Sequence, residues 1–283
     1  MKIHKMLFKA KFALSKLVKI ILRACFCALL YAYLIEPNWI DINYVQLKLP
    51  HLASEFNDYR IVQISDIHVD KQTKKRHLNH IFRLVNQQKP DLIAITGDFI
   101  TRRQTKFIPK LKATLGQLSA SDKIVGVLGN HDYWADANKV IKVLEETNVL
   151  NLDNKVYTVK RNNSVLHIAG VDDVWVGKDR LDLVLQQLPQ EGAAILLAHE
   201  PDFADRSALS HRFDLQLSGH SHAGQIRLPF VKPPKLPGLG RKYYDGLYKV
   251  EEMFQYTNRG LGMTGLHLRF SSRPEITVFI LKA

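Results

Sequence analysis

Cysteine is nearly absent. The 283-residue chain has two, Cys25 and Cys27, both inside an apolar N-terminal stretch. The rest of the chain therefore has no disulfide framework, no thiolate metal ligand and no cysteine nucleophile. Acid is missing at the start. Residues 1–35 hold seven of the 40 Lys/Arg and no Asp or Glu, which leaves 33 basic residues against 27 acids, a modest excess. The net charge of +13 thus belongs mainly to the N-terminus. That placement fits an anionic membrane surface and does not favour a nucleic-acid partner. Internal repeats and low-complexity segments are also lacking. With 46% hydrophobic residues, the chain has material for one large domain with a full core.

The N-terminal segment reads as a membrane anchor over residues 1–36. Lys2, Lys5, Lys9, Lys16, Lys19 and Arg23 fall on one face at helical spacing, and Ile3, Leu7, Ala10, Leu14, Leu17 and Ile21 on the other, with Lys11 the exception. Ala24–Ile35 is uncharged until Glu36-Pro37. An amphipathic helix in the membrane plane, running into a shallow apolar anchor, is the preferred form. A spanning helix over 17–35 is the second reading. A cleaved signal peptide is the third, and no small-x-small site supports it.

Residues 37–57 read as a linker with an edge strand from Trp39 to Leu49. From residue 58 to 283 apolar strands alternate with helices. Strands are expected at 61–64, 92–95, 124–128, 166–170, 195–198 and 215–217, with short ones at 225–228, 248–250 and 275–281. Helices are expected near 75–88, 107–118, 135–147 and 179–188. The alternation predicts βαβ units, an α/β domain whose sheet has a parallel core.

Five strand exits carry polar side chains: Asp66 and His68, Asp98, Asn130 with His131, His199, and His220 with His222. In an α/β sheet such exits converge on one crevice. If still extended, Asp66/His68 and His220/His222 would each share a face. Gly97, Gly129 and Gly219 each precede one of these residues, where a sharp turn or close backbone approach is needed. Carboxylate, imidazole and one amide, without sulfur, suit Mn²⁺, Fe or Zn²⁺. Seven candidate ligands exceed one tetrahedral site and suit two divalent metal ions roughly 3.5–4 Å apart.

The ordered set Asp-x-His, Gly-Asp, Gly-Asn-His-Asp, His, Gly-His-x-His resembles the calcineurin-like metallophosphoesterase superfamily over about residues 58–283. His199-Glu200-Pro201-Asp202, Gly219–Gln225 and Asn258-Arg259-Gly260 are similar to a membrane-associated bacterial branch. That branch includes small phosphodiesterases and a UDP-2,3-diacylglucosamine pyrophosphohydrolase of lipid A synthesis. The resemblance implies a four-layer αββα sandwich of two mixed sheets. It implies one metal on Asp66, His68, Asp98 and His222 and a second on Asp98, Asn130, His199 and His220, with Mn²⁺ the first choice. A bridging hydroxide would attack phosphorus in line. His131 would meet the phosphate, with Asp132 orienting it, and Arg259 either reaches a phosphate or pairs with an acid. The implied substrate is an anionic phosphate ester, with a lipid-linked nucleotide as one candidate and no obligate protein partner. The rival functions are a general phosphodiesterase and a silent metal-binding scaffold. The expected place is the bacterial inner membrane, with the domain on the cytoplasmic side preferred over an outward-facing one.

His4, His51, His77, His80, His167, His211 and His267 read as surface or satisfied core residues. Asp172-Asp173 read as a turn or cap, or as residues shaping the site. Lys232, Lys235, Arg241 and Lys242 read either as a solvated loop or as contacts to an anionic substrate.

Overall fold

The computed structural model describes residues 2–228 and 231–283, and in the first helix the side chains of residues 4, 6, 12 and 14–30. The expected positions of Lys2, Ile3, Lys5, Leu7, Lys9, Ala10 and Lys11 on the helix faces, and the start of the basic loop at 229–230, lie outside the described residues.

Among the described residues, twelve strands form two six-stranded mixed sheets. In the first, β1 (Asp41–Lys48) pairs in parallel with β12 (Glu275–Lys282), and β12 runs antiparallel to β2 (Arg60–Ile64). β3 (Leu92–Thr96), β4 (Lys123–Val127) and β5 (Val149–Asn151) follow β2 in parallel. In the second sheet β7 (Ser164–Gly170), β8 (Ala193–Leu197), β9 (Leu215–Ser218) and β11 (Met253–Thr257) are parallel. The flanking strands, β6 (Lys155–Arg161) and β10 (Gly246–Val250), are antiparallel hairpin partners of β7 and β11.

Side-chain alternation explains why the central strands are apolar throughout. Leu92 and Ala94 face the second sheet, while Ile93 and Ile95 face the helices. In β8, Ala193, Ile195 and Leu197 face the first sheet, and Ala194 and Leu196 face outward into a third cluster. A strand buried on both faces needs both sets apolar. α2 (Lys75–Gln87), α3 (Ile108–Leu115) and α5 (Ala137–Glu146) cover the first sheet, and α6 (Leu181–Gln187) packs on the second. The layers are helix, sheet, sheet, helix, as expected. Gln63 lies on the inner face of β2 and donates to Thr96 Oγ1 (3.0 Å) and the carbonyl of Ser218 (2.9 Å), tying the sheets together at the ends that carry the site.

Two local expectations are corrected. Residues 225–228 form no strand. Gln225 has φ +59°, and only an isolated bridge joins Ile226 to Phe270. The third exit does not run on as a strand to His131: β4 ends at Val127, and Asn130 opens a short helix, α4 (Asn130–Ala135).

α1 (Lys2–Leu30) continues through a wide turn, Tyr31–Ile35, to a 3-10 turn at Glu36–Asn38. The stretch Leu14–Asn38 has mean hydropathy 2.0 over its most apolar window, 6% of which is buried, so the helix is long and apolar enough to cross a membrane. Leu17, Ile20, Leu22, Phe26 and Leu29 are all more than half exposed, which a core helix would not be.

Candidate metal centre

The site assembles where three parallel strands of the first sheet and two of the second end. Asp66, His68, Asp98, His220 and His222 all have φ between +48° and +67°. Five non-glycine residues in the left-handed region around one point is backbone strain of the kind that functional sites retain. It also corrects the expectation of extended pairs. His222 turns toward Asp66 and His68, whereas His220 turns toward His199. Gly129 and Gly219 allow the strand ends to approach. A Cβ on Gly129 would lie 2.4 Å from Asp98 Oδ1, and one on Gly219 would lie 1.9 Å from Ser65 Oγ.

The polar atoms fall into two groups. In the first, His68 Nε2 and His222 Nε2 are 3.1 Å apart, with Asp66 Oδ1 at 3.7 and 3.3 Å from them. In the second, His199 Nε2 is 3.2 Å from Asn130 Oδ1 and 3.2 Å from His220 Nδ1. Asp98 Oδ2 is 3.4 Å from both His68 Nε2 and His199 Nε2, so it stands between the groups. All seven residues are buried.

The hydrogen bonds around these atoms fix which nitrogens carry protons. His199 Nδ1 donates to the carbonyl of Thr96 (2.7 Å), and His220 Nε2 donates to the carbonyl of Gly238 (2.9 Å). The opposite nitrogens therefore turn lone pairs toward each other and toward an amide oxygen. Such lone pairs repel unless a cation lies among them, and holding metal-ligating imidazoles by their far N–H is a common device. Burial alone would raise Asp98 and Asp66, but the surrounding imidazoles, His199 and His222 foremost, hold both carboxylates well below their ordinary range. Burial would lower His199, yet Asp98 pulls it well above its ordinary value, so Nε2 shows its lone pair only when a bound cation takes the place of the proton that Asp98 attracts. The space beside Asp98 favours positive charge. These His/Asp clusters are able to hold two metal ions.

The structure answers three further expectations. His131 sits beside the cluster, its ring 4.7 Å from that of His68. Burial pushes it down to about 4, so it is neutral. Its Nδ1 accepts the backbone N–H of Arg102 (3.2 Å), which leaves the proton on Nε2. Asp132 does not orient His131. Its carboxylate accepts the N–H groups of Gly129 (3.0 Å) and Ile100 (3.0 Å), capping α4. Arg259 does not reach toward a phosphate. Nε donates to Glu275 (2.7 Å) and Nη2 to Asp41 (2.6 Å), so the pairing alternative is the one found.

At this site Trp134, Trp175 and Glu200 carry no role assigned from the sequence, whereas Asp172, Asp173 and Lys242 do. Two of the three tryptophans border it: Trp134 is 4.9 Å from His131 and Trp175 is 5.5 Å from His220, ring to ring. Glu200, buried next to His199, accepts the N–H groups of Val174 and Trp175 (both 3.2 Å). Asp173 is buried and accepts the N–H of Val176 (2.8 Å), and Asp172 accepts the Tyr133 hydroxyl (2.8 Å), so this acidic pair shapes the loop around Trp175. In the basic loop, Lys242 pairs with Asp205 (2.7 Å). The rarity of tryptophan and the place of Glu200 inside the His199 motif were the available signals.

Residues 59–224 match the calcineurin-like phosphoesterase family. The metallophosphoesterase YkuE of Bacillus subtilis is 35% identical over 263 residues, 89% of each chain. The phosphodiesterase YaeI of Escherichia coli is 27% identical over 89% of this chain and 92% of its own. A transmembrane protein with a metallophosphoesterase domain from Danio rerio is 33% identical over 87% of this chain and 57% of its own length.

Proposed function

The chain belongs to the calcineurin-like metallophosphoesterase family, and from that premise we propose a two-metal hydrolase, held at a membrane by α1, that cleaves a phosphodiester or pyrophosphate bond. The observation that carries this reading is Asp98 Oδ2, equidistant at 3.4 Å from His68 Nε2 and His199 Nε2. Asp66, His68, Asp98 and His222 would hold one ion, and Asp98, Asn130, His199 and His220 the other, with Mn²⁺ the first choice. Two such ions, when bound, supply charge against the phosphoryl oxygens and make water nucleophilic near neutral pH. The protein's own residues do the rest. His131, neutral and with Nδ1 occupied by Arg102, offers Nε2–H to a phosphoryl or leaving oxygen. Trp134 and Trp175 border the space on the side of His131 and His220. The name of the E. coli relative supports a phosphodiesterase, and that of the D. rerio relative supports a membrane protein.

The test is hydrolysis by Mn²⁺-loaded full-length protein in detergent, with bis-p-nitrophenyl phosphate and UDP-2,3-diacylglucosamine compared. Turnover should fall roughly 10²–10⁴-fold in His131→Ala with the metal content kept. Strong preference for the lipid nucleotide would assign a pyrophosphohydrolase and a cytoplasmic-facing domain, because UDP-linked substrates are made there. Two bound ions per chain without turnover of either compound would sink both of these substrate assignments and leave another phosphate ester or the scaffold.

A further inference from the structure

Trp134 and Trp175 complete an arc of rings around the metal centre. Ring to ring, His222 is 5.0 Å from His68, His68 is 4.7 Å from His131, and His131 is 4.9 Å from Trp134. Trp134 meets Trp175 edge to face, at 6.1 Å and 88°. Trp175 is 5.5 Å from His220, which is 4.9 Å from His199. Within this arc only Trp134 and Trp175 are exposed, at 37% and 42%. The two indoles are thus its open part, and they span from the donor His131 to the candidate ligand His220.

Both indoles are held in place. Gly238 makes room for Trp175: a Cβ there would lie 3.0 Å from Cζ3 and 3.1 Å from Cη2 of the ring. The carbonyl of the same glycine accepts the His220 N–H (2.9 Å), and the buried Glu200 carboxylate accepts the backbone N–H of Trp175 (3.2 Å). The Arg102 guanidinium stands 5.6 Å from the centre of the Trp134 ring, while the Arg102 backbone N–H donates to His131 (3.2 Å). Each indole therefore packs on a residue whose backbone also holds a histidine of the centre. A loose surface tryptophan would have none of these ties.

We propose that Trp134 and Trp175 form a subsite for a flat unsaturated ring carried on the organic group of the phosphate ester. The assignment rests on the phosphohydrolase reading above and names what the ester carries beside its phosphate. Three observations support it. Two perpendicular indoles offer an incoming ring a face and an edge at once, the two arrangements in which aromatic pairs attract. Their contacts with His131 and His220 put them at the phosphate position and not at a remote surface. Exposed Arg102 beside Trp134 accepts a neutral or anionic group and opposes an ammonium.

The experiment uses full-length, Mn²⁺-loaded protein in detergent. Two slowly hydrolysed anions, benzyl methylphosphonate and cyclohexylmethyl methylphosphonate, are bound in turn and read by calorimetric titration. Their ester groups have the same carbon number, and the saturated one is the more hydrophobic, so plain apolar contact favours cyclohexylmethyl. An aromatic pair is worth about two- to twelvefold, from ~0.5–1.5 kcal/mol, so the wild type should bind the benzyl ester at least twofold more tightly. Trp134→Leu and Trp175→Leu should each lose that preference, and Trp175→Phe, which keeps a flat ring, should retain it. The preference is a ratio within one protein, so a change in metal loading cancels. Equal affinities in the wild type, or an unchanged ratio in both leucine variants, would overturn the proposal. Equal affinities in a protein that hydrolyses bis-p-nitrophenyl phosphate would remove the subsite and leave the hydrolase standing. A benzyl preference lost in both leucine variants, in a protein that does not hydrolyse that diester, would keep the ring site and count against the phosphodiesterase.

Discussion

Glu36 and Ser272 link the N-terminal helix to the metal centre: the Glu36 carboxylate accepts the Ser272 backbone N–H, and the Ser272 hydroxyl donates to the carbonyl of His222 (2.8 Å). Glu36 is 1% exposed although it follows an apolar helix, so it is a joint and not a solvated stop. Glu36→Ala would leave the Ser271 and Ser272 N–H groups without partners, at roughly 1–3 kcal/mol each. The expected result is a lower melting temperature and weaker binding of one of two Mn²⁺ ions, read by calorimetric titration. Glu36→Gln, which keeps one acceptor oxygen, should fall between. Equal metal affinity in all three proteins would show that the joint does not reach His222.

Gly129→Ala tests the geometry of the centre without touching a candidate ligand. Its Cβ would lie 2.4 Å from Asp98 Oδ1 and 2.8 Å from His199 Nε2, so both groups of ligands must shift. Metal content should drop below two ions per chain, and phosphodiester turnover should fall at least a hundredfold, in line with ~1 Å misplacements elsewhere. Gly116→Ala is the control, since its Cβ meets nothing closer than the Lys112 carbonyl at 3.7 Å. Full occupancy in Gly129→Ala would mean that the centre is far more plastic than these contacts allow.

Arg259 should behave as a structural residue. Glu275 is 1% exposed and holds both Arg259 and the Tyr256 hydroxyl, so removing the guanidinium strands a buried charge. Breaking a buried pair costs roughly 3–5 kcal/mol, and the 17% exposure of the Arg259 side chain puts the loss toward the lower end. Arg259→Ala should therefore melt earlier while KM for bis-p-nitrophenyl phosphate stays within about twofold. A tenfold rise in KM with unchanged melting would restore the phosphate-binding role.

The parts legible from sequence share one property: their signal is local. α2 buries Leu78, Ile81, Phe82 and Val85, the same four residues its periodicity picks out. β2, β3, β4, β8 and β9 are short apolar runs because both faces are covered, and each ends in a polar exit. What was not legible depends on distant partners. Nothing in residues 155–161 or 253–257 says that they belong to a second sheet, and β12 enters between β1 and β2 from the far end of the chain. Asp132 follows His131 in sequence, but consecutive residues on a helix do not face each other, so adjacency misassigns their contact. The partners of Arg259 come from residues 41 and 275, which no spacing reveals.

Asp153 gives the fold a pH dependence outside the metal centre. Its carboxylate accepts the Leu128 N–H (2.9 Å), at the end of the strand that leads to Asn130. Burial first, and the charge of Asp172 second, push it up to about 7. An unfolded aspartate titrates near 3.9. Between those values the folded chain holds a proton that the unfolded chain releases, so this contribution to stability is complete below about pH 4 and is lost as pH rises through 7. The total loss is a few kcal/mol at most, by about 1.4 kcal/mol per pH unit. Asp153→Asn keeps an acceptor for Leu128 and removes the titration. The melting temperature of the wild type, measured with chelator present, should therefore fall relative to that of Asp153→Asn between pH 5 and 8, and the difference should level off above. A constant difference across that range would place the Asp153 titration elsewhere.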